Sequence, residues 1–320
     1  MTISITQLNA ITHVLVLKKL TNNVYNTNPL LKRLYENKVL LDGGTKIGAP
    51  VISGASDSTT GGFYTGMANL DSSEKDDITR AEVNWKQFHE TVLISRADIL
   101  KNSGSMQQLN LVKSKITVAE MRAKAKLALG LYSDGTDTEK FNGLQEIINL
   151  TGAYAGLAVS DILDEAGANA WIPVIKSNSG TSRSLSLSLV QQAMGATAYD
   201  EDRVSLAVSK QNVFDELWNL LSPHQRLMTD DKMSGMGFEG ILKYNGIPFI
   251  VDSHMKAGSF YFVNENHFKM YVHKDEDMRV QSFDQLENQN GIKRRVLLMA
   301  NFLCDARRQL AELADIAVAS

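Results

Sequence analysis

Six histidines, one cysteine and a scatter of carboxylates are the side chains from which this 320-residue chain could build chemistry, and their spacing builds none. The histidines are His13, His89, His224, His254, His267 and His273. A zinc hydrolase helix needs two histidines four apart with a glutamate between them, and a structural zinc needs a Cys/His cluster; neither occurs. His267 and His273 are close in sequence, but strand-surface histidines are the simpler reading than metal ligands. Asp134, Asp137 and Glu139 in DGTDTE look like half a calcium loop, without the remaining ligand positions or the closing bidentate glutamate. There is no phosphate loop of the GxxxxGK[ST] type, no GxGxxG and no GxSxG nucleophile elbow. Cys304 ends an apolar run and reads as a small core residue, not a nucleophile. The expectation is a chain with no catalytic residues, no metal site and no cofactor.

Composition narrows the class further. A single cysteine excludes an intrachain disulfide and suits a reducing compartment. Hydrophobic content of 43% with 22% charged residues is that of a globular chain. A net charge of −3 excludes a strongly basic nucleic-acid coat. The start, MTISITQLNA, has neither a basic n-region nor a long apolar run, and the longest apolar stretches are too short to span a bilayer. No membrane partner is expected. The length suits two modest domains.

The element that must position everything else is Ser105 to Tyr132. Ser105 is a candidate N-cap, and neither Gly nor Pro follows until Gly130. Leu109, Val112, Ile116, Ala119, Ala123 and Leu127 form one apolar stripe; Leu111, Val118, Met121, Ala125 and Leu129 form a second. Two stripes predict a helix held between two surfaces. At 1.5 Å per residue it is about 40 Å long. Its polar positions are mostly basic: Lys113, Lys115, Arg122, Lys124 and Lys126 against Glu120. A strut and a long core helix of an α/β enzyme both fit this helix taken alone.

Residues 1–41 read as an arm. Thr6 to Leu20 has helical spacing at Leu8, Ile11, Leu15 and Val16, and a second short helix is predicted from Pro29, since proline suits the first helical position. Five bases, Lys18, Lys19, Lys32, Arg33 and Lys38, stand against Glu36. So polar a segment is expected to pack on something else, its own body or a neighbour.

Residues 42–95 read as one long excursion. Lys46 to Ile52 is strand-like, and Ser53 to Gly66 is a Gly/Ser/Thr-rich tip carrying Phe63 and Tyr64. Ile78 to Ile94 is a long strand with a phase shift near Gln87-Phe88, read as a bulge. Two long strands joined by a soft tip make a ribbon that is marginal in water alone and needs a surface to lie on. Six acids against two bases between Gly54 and Glu82 make it acidic beside a basic arm and strut, although charges that are merely solvated would look the same.

After the long helix, Thr151 to Gly258 reads as a compact α/β unit. Helices are expected at Leu185 to Met194 and Gln211 to Leu221, and strands at Val204 to Val208 and after the Gly246 turn. Phe260 to Val263, Phe268 to Val272, Met278 to Phe283 and Arg295 to Leu303 are four strand candidates. Asp305 to Ala317 is expected to finish as a short helix.

Arm, long two-stranded loop, strut helix, compact α/β unit and final strands, in that order, resemble the major capsid proteins of tailed bacteriophages, the Hong Kong 97-type capsid fold. ISRADIL (Ile94 to Leu100), LYSDGT with NGLQEII (Leu131 to Ile148), MGFEGILKYNGIPFIVDS (Met236 to Ser253) and FYFVNENHFKMYVH (Phe260 to His273) look like that family at the expected places. The resemblance implies an α+β fold. Residues 1–41 become the N-arm, 42–95 the extended E-loop, and 96–150 the peripheral domain with its spine helix. Residues 151–258 become the axial domain, and 259–320 return mainly to the peripheral domain.

By the same resemblance the function expected is structural: a major capsid protein that self-assembles into the icosahedral head of a tailed phage around double-stranded DNA. Its partners would be other copies of itself in hexamers and pentamers, a portal and DNA held without sequence preference. The chain reaches its arm within a few residues of Met1, so either no long scaffolding segment or a separate scaffolding protein is expected. Location in the virion, after assembly in the host cytoplasm, follows. Two alternatives stay open: an encapsulin-type compartment shell, and a cytoplasmic α/β enzyme with a dimerisation ribbon. Expected interface residues are Phe63, Tyr64, Asp76, Asp77 and Trp85; the alternative for the tip aromatics is that they fold back on their own ribbon. Expected inward-facing bases are Lys18, Lys19, Lys124 and Lys126.

Overall fold

A computed structural model of the protein describes residues 28–53, 63–67, 69, 78–101, 105–164, 167–199, 202–222, 242–287 and 289–317. The first helix, α1 (Pro29–Glu36), starts where the proline predicts. Asn28 caps it, its side-chain oxygen accepting from Leu31 N at 3.0 Å. Leu30, Leu31 and Leu34 are buried in the main core, so this part of the arm is docked on the chain's own body. Residues 1–27 lie outside the described residues.

After β1 (Val39–Leu41), β2 (Lys46–Ile52) and β3 (Ile78–Asn84) pair antiparallel from Lys46–Asn84 to Ile52–Ile78. The two-residue period puts Ile47, Ala49, Val51, Ala81 and Val83 on one buried face. The surface that the lower ribbon needs is thus its own chain. The single long strand expected over Ile78 to Ile94 is corrected to two. The break falls at Trp85, not at Gln87-Phe88. There the chain passes from pairing β2 to pairing a different sheet, and the side-chain alternation restarts. Its continuation β4 (Lys86–Ser95) belongs to that sheet, so the free ribbon is shorter than the excursion read from the sequence.

A short helix α2 (Arg96–Lys101) leads to the strut, α3 (Ser105–Leu131). The first apolar stripe is buried at Val112, Ile116, Ala119, Ala123 and Leu127 and packs on β4. The second stripe faces outward, with Val118 49%, Met121 62% and Leu129 56% exposed. One of the two surfaces predicted for this helix lies in its own chain; of the other stripe, Leu111 packs partly against the core, and no described residue covers Val118, Met121 or Leu129.

The chain then forms α4 (Leu144–Ile147), β5 (Val174–Lys176), α5 (Leu187–Thr197), β6 (Leu206–Ser209) and α6 (Gln211–Leu221). It continues as β7 (Leu242–Tyr244), β8 (Ile247–Val251), β9 (Phe260–Val263) and β10 (Phe268–His273). The last strands are β11 (Arg279–Val280), β12 (Asp284–Gln285), β13 (Gly291–Cys304) and β14 (Ala311–Leu313). The strand expected over Met278 to Phe283 shrinks to Arg279–Val280; Met278 takes a left-handed backbone, φ 51°, which delays its start.

Two six-stranded sheets result. The first is built on the 14-residue β13, which pairs with β4, β10, β11 and β12, while β1 extends it beside β10. The second runs β5-β14-β9-β6-β8-β7. Its hairpin β7–β8 turns on Asn245 and Gly246 with φ of 52° and 81°, the Asn-Gly turn whose twist suits antiparallel strands. α5 and α6 cover this sheet with Val190, Ala193, Val213 and Leu217 against Phe249, Phe260 and Phe262. The expected final helix over Asp305 to Ala317 is corrected. After a 3-10 turn at Arg307–Gln309, Ala311–Leu313 is a strand between β5 and β9. The last 60 residues therefore serve both sheets, with β9 and β14 in the second.

Candidate subunit interface

The ribbon's outward face carries apolar side chains that no described residue buries. Ile52 and Ile78 are directly paired and both exposed. Beyond them Phe63, Tyr64 and Met67 are exposed too. No described residue covers Phe63 or Tyr64. Asp76 and Asp77 lie outside the described residues.

Trp85 is engaged within its own chain. Its Nε1 donates to the Gly44 carbonyl oxygen at 2.9 Å, and its ring meets His273 edge-on at 5.7 Å between centroids. The indole thereby ties the ribbon's two arms at the base and sets them against β10. Two other contacts fix the ribbon near its base: Glu82 N donates to Ala155 O at 2.8 Å, and Asn301 Nδ2 to Asn84 O at 2.7 Å. At the far end of β2, Leu163 N donates to Ser53 Oγ at 3.2 Å.

The basic side chains of α3 divide into two groups. Arg122 and Lys126 reach Glu90 at 2.9 and 2.8 Å, so they neutralise a buried carboxylate on β4. Lys126, expected on an inward basic face, spends much of its charge there. Lys124 is half-buried and Lys113 exposed. Lys18 and Lys19 lie outside the described residues. One face of the first sheet is covered by α3. The other leaves an open groove of about 490 Å³ lined by His89, Thr91, Glu276, Arg295, Leu297 and Met299.

Several buried polar side chains hold these surfaces in place, and sequence reading did not single them out. Arg307 is fully buried and donates to four carbonyl oxygens: Ile147 at 3.0 Å, Gly152 at 3.3 Å, Trp171 at 3.1 Å and Asn149 at 2.6 Å. Burial pulls its pKa down, yet the guanidinium replaces its water with carbonyl dipoles. Asp252 accepts from Tyr132 Oη at 2.6 Å, from His254 N at 3.0 Å and from Asn28 Nδ2, joining α1, the end of α3 and the second sheet. Arg33 forks onto Glu265 with two contacts of 2.7 Å, and Lys38 and Tyr35 share Asp277. The only cue in the sequence was their polarity inside apolar runs.

Asp134, Asp137, Cys304, His267 and His273 sit in local contacts, while His13 and His224 lie outside the described residues. Asp134 accepts from Thr136, and Asp137 from Glu139 N, which holds both carboxyls below their usual range; both face solvent within their own turn. Cys304 is buried and its thiol is pushed up by that burial. His267 and His273 do not share a site: His267 lies between two carboxylates, and His273 Nδ1 accepts from Asp275 N. Among the described residues there is no metal-ligating cluster, and no helix long and apolar enough to cross a membrane.

No protein-family model and no curated protein matches the chain. Solved structures do. The cyanophage A-1(L) capsid asymmetric unit is similar over 90% of this chain and 93% of that one, with a TM-score of 0.67 at 16% identity. The capsid of a native GTA particle is similar over 89% and 90%, with 0.60 at 14%. A structure of Mycobacterium phage Bobi is similar over 87% of each chain, with 0.53 at 11%.

Proposed function

We propose that this chain, which has the Hong Kong 97-type capsid fold, is the major subunit of a tailed-phage head that encloses double-stranded DNA. The observation that carries the reading is the pair of uncovered apolar surfaces on one chain: the ribbon's Ile52, Phe63, Met67 and Ile78, and the outward stripe Val118, Met121 and Leu129 of α3. In a lone molecule both cost free energy; between identical copies each can be covered by a neighbour. The ribbon is the element expected to reach across to the next copy, with Phe63 and Tyr64 as its anchors and Asp76 and Asp77 as its charged flank. Head-to-tail contacts of this kind close rings, and rings with a second contact close a shell of hexamers and pentamers.

DNA contact in this reading is non-specific, from Lys124 and from Lys18 and Lys19 on the arm, with a portal and a separate scaffolding protein as assembly partners. Sedimentation velocity on the purified chain, with negative-stain microscopy of the fastest species, tests it. Closed particles, or rings that convert to them, are expected, with nuclease-protected DNA in particles taken from lysates. A clean monomer or dimer that resists assembly even with phage scaffold would reject the shell, and particles filled with a cargo protein would reject the phage head.

A further inference from the structure

The chain crosses between its two sheets at the turn 264–267, from β9 to β10, and again at 305–310, from β13 to β14. His267 lies where the crossings meet. Its carbonyl oxygen accepts from Asp305 N at 3.2 Å, and its ring has a carboxylate at each nitrogen. Nδ1 is 2.7 Å from Asp305 Oδ1, and Nε2 is 3.1 Å from Asp202 Oδ2. Asp202 belongs to the segment that links α5 to β6 and is bridged to Tyr199. A neutral imidazole has one N–H and one lone pair, so it can satisfy only one of these carboxylates and turns a lone pair on the other. Only the imidazolium donates to both.

We propose that His267 is a proton-controlled staple, joining both crossings and the α5–β6 segment while it carries its second proton and releasing one of them when it loses it. Arg203, next to Asp202 in sequence, is exposed; three other charged groups nearby are engaged elsewhere. Glu265 is held by Arg33 and Ser205, Arg307 by four carbonyls, and Arg308 lies over the Tyr199 ring at 3.7 Å. Tyr271 and Cys304, on β10 and β13, stay neutral because burial pushes both up. Asp200 and Glu201, next to Asp202 in sequence, lie outside the described residues and can only add negative charge. The hydrogen bond to Asp305 outweighs burial and, with Asp202, raises the imidazole above its ordinary 6.5. The contribution is therefore complete below that ordinary value and fades as pH rises through the raised one. It concerns a single subunit and stands whether or not the chain builds a shell.

The test is a pH titration of the full chain between about pH 6 and 9, the range in which a histidine switches. The His267 ring is followed by NMR, and amide protection is measured over 199–206 and 305–310 after correction for the intrinsic pH dependence of exchange. The expected result is a ring midpoint above the ordinary value and a drop of about tenfold in protection in step with it, the scale of one pKa unit. His267→Gln should remove the step and leave protection low throughout; His267→Lys should keep it high across the range. Should His267→Gln not fold, Asp202→Asn provides the same test by lowering the midpoint. A ring midpoint at or below the ordinary value, flat protection, or an unchanged step in His267→Gln would each overturn the proposal.

Discussion

Asn301 Nδ2 donates to the carbonyl oxygen of Asn84 at 2.7 Å, joining the middle of the first sheet to the last residue of the ribbon across 217 positions of sequence. The same side chain accepts from Asn142 N at 2.9 Å, so one buried amide holds the ribbon, the loop after α3 and β13 in one register. Asn301→Leu removes both donors and acceptor from a buried side chain whose partners are only partly shielded from water. It should cost about 1–3 kcal/mol in denaturant unfolding and raise exchange at Trp85 and Asn142 more than elsewhere. Uniform loss of protection would show that Asn301 supports the core in general, not the ribbon.

Arg307 offers a sharper case. Arg307→Leu leaves four carbonyl oxygens without their donor, and a loss of several kcal/mol is expected. Arg307→Lys should not restore it, because one ammonium cannot span the positions the planar guanidinium reaches. A lysine variant with wild-type stability would mean that charge alone matters here.

Gly143 owes its identity to a close approach. A Cβ there would stand 2.2 Å from Ser133 N and 2.6 Å from Ser133 O, both backbone atoms that cannot swing aside. Gly143→Ala must displace α4 from the end of α3, and a loss above about 4 kcal/mol, read as missing folded protein at ordinary temperature, is expected. Folded Gly143→Ala protein of normal melting temperature would contradict this close contact.

The two stripes of α3 should respond oppositely. Leu127 is buried, and Leu127→Ala should cost about 2–5 kcal/mol in the isolated subunit. Leu129 is exposed, so Leu129→Ala should change subunit stability by no more than about 0.5 kcal/mol and instead slow or abolish particle formation in light scattering. Normal assembly of a Leu129→Ala, Met121→Ala double variant would remove the outward stripe from the interface.

A parallel comparison applies to the ribbon tip. Phe63→Ser with Tyr64→Ser should leave the subunit's melting temperature unchanged, since neither ring is buried in its own chain, while assembly fails. If the variant melts lower instead, the tip packs on its own chain.

Periodic segments were legible in the sequence, and places where tertiary pairing overrides local preference were not. The long helix, α6 and β10 match their expected spans closely because each has a clear period, and β9 does so as a short apolar run ended by a polar turn. The exchange of partners at Trp85 looked like a bulge, since both events shift the alternation by one residue. Ala311–Leu313 sits among residues that favour helix, yet pairing on both edges with β5 and β9 outweighs that preference. Phe63 and Tyr64 were legible as an exposed tip. The hub residues Asn301, Asp252 and Arg307 were not, because their partners come from distant segments and no spacing announces them.

The position of β14 has a consequence for timing. It occupies an inner place in the second sheet, between β5 and β9, although it follows every other described strand in sequence. A nascent chain still attached to the ribosome can pair β6, β8 and β9, but it holds an open gap until Ala311–Leu313 emerges. The second sheet therefore closes only after Ala311–Leu313 has been made, well after the strands on either side of the gap. Until then β5 and β9 each present an unpaired edge, the kind of edge on which a strand of another chain can add.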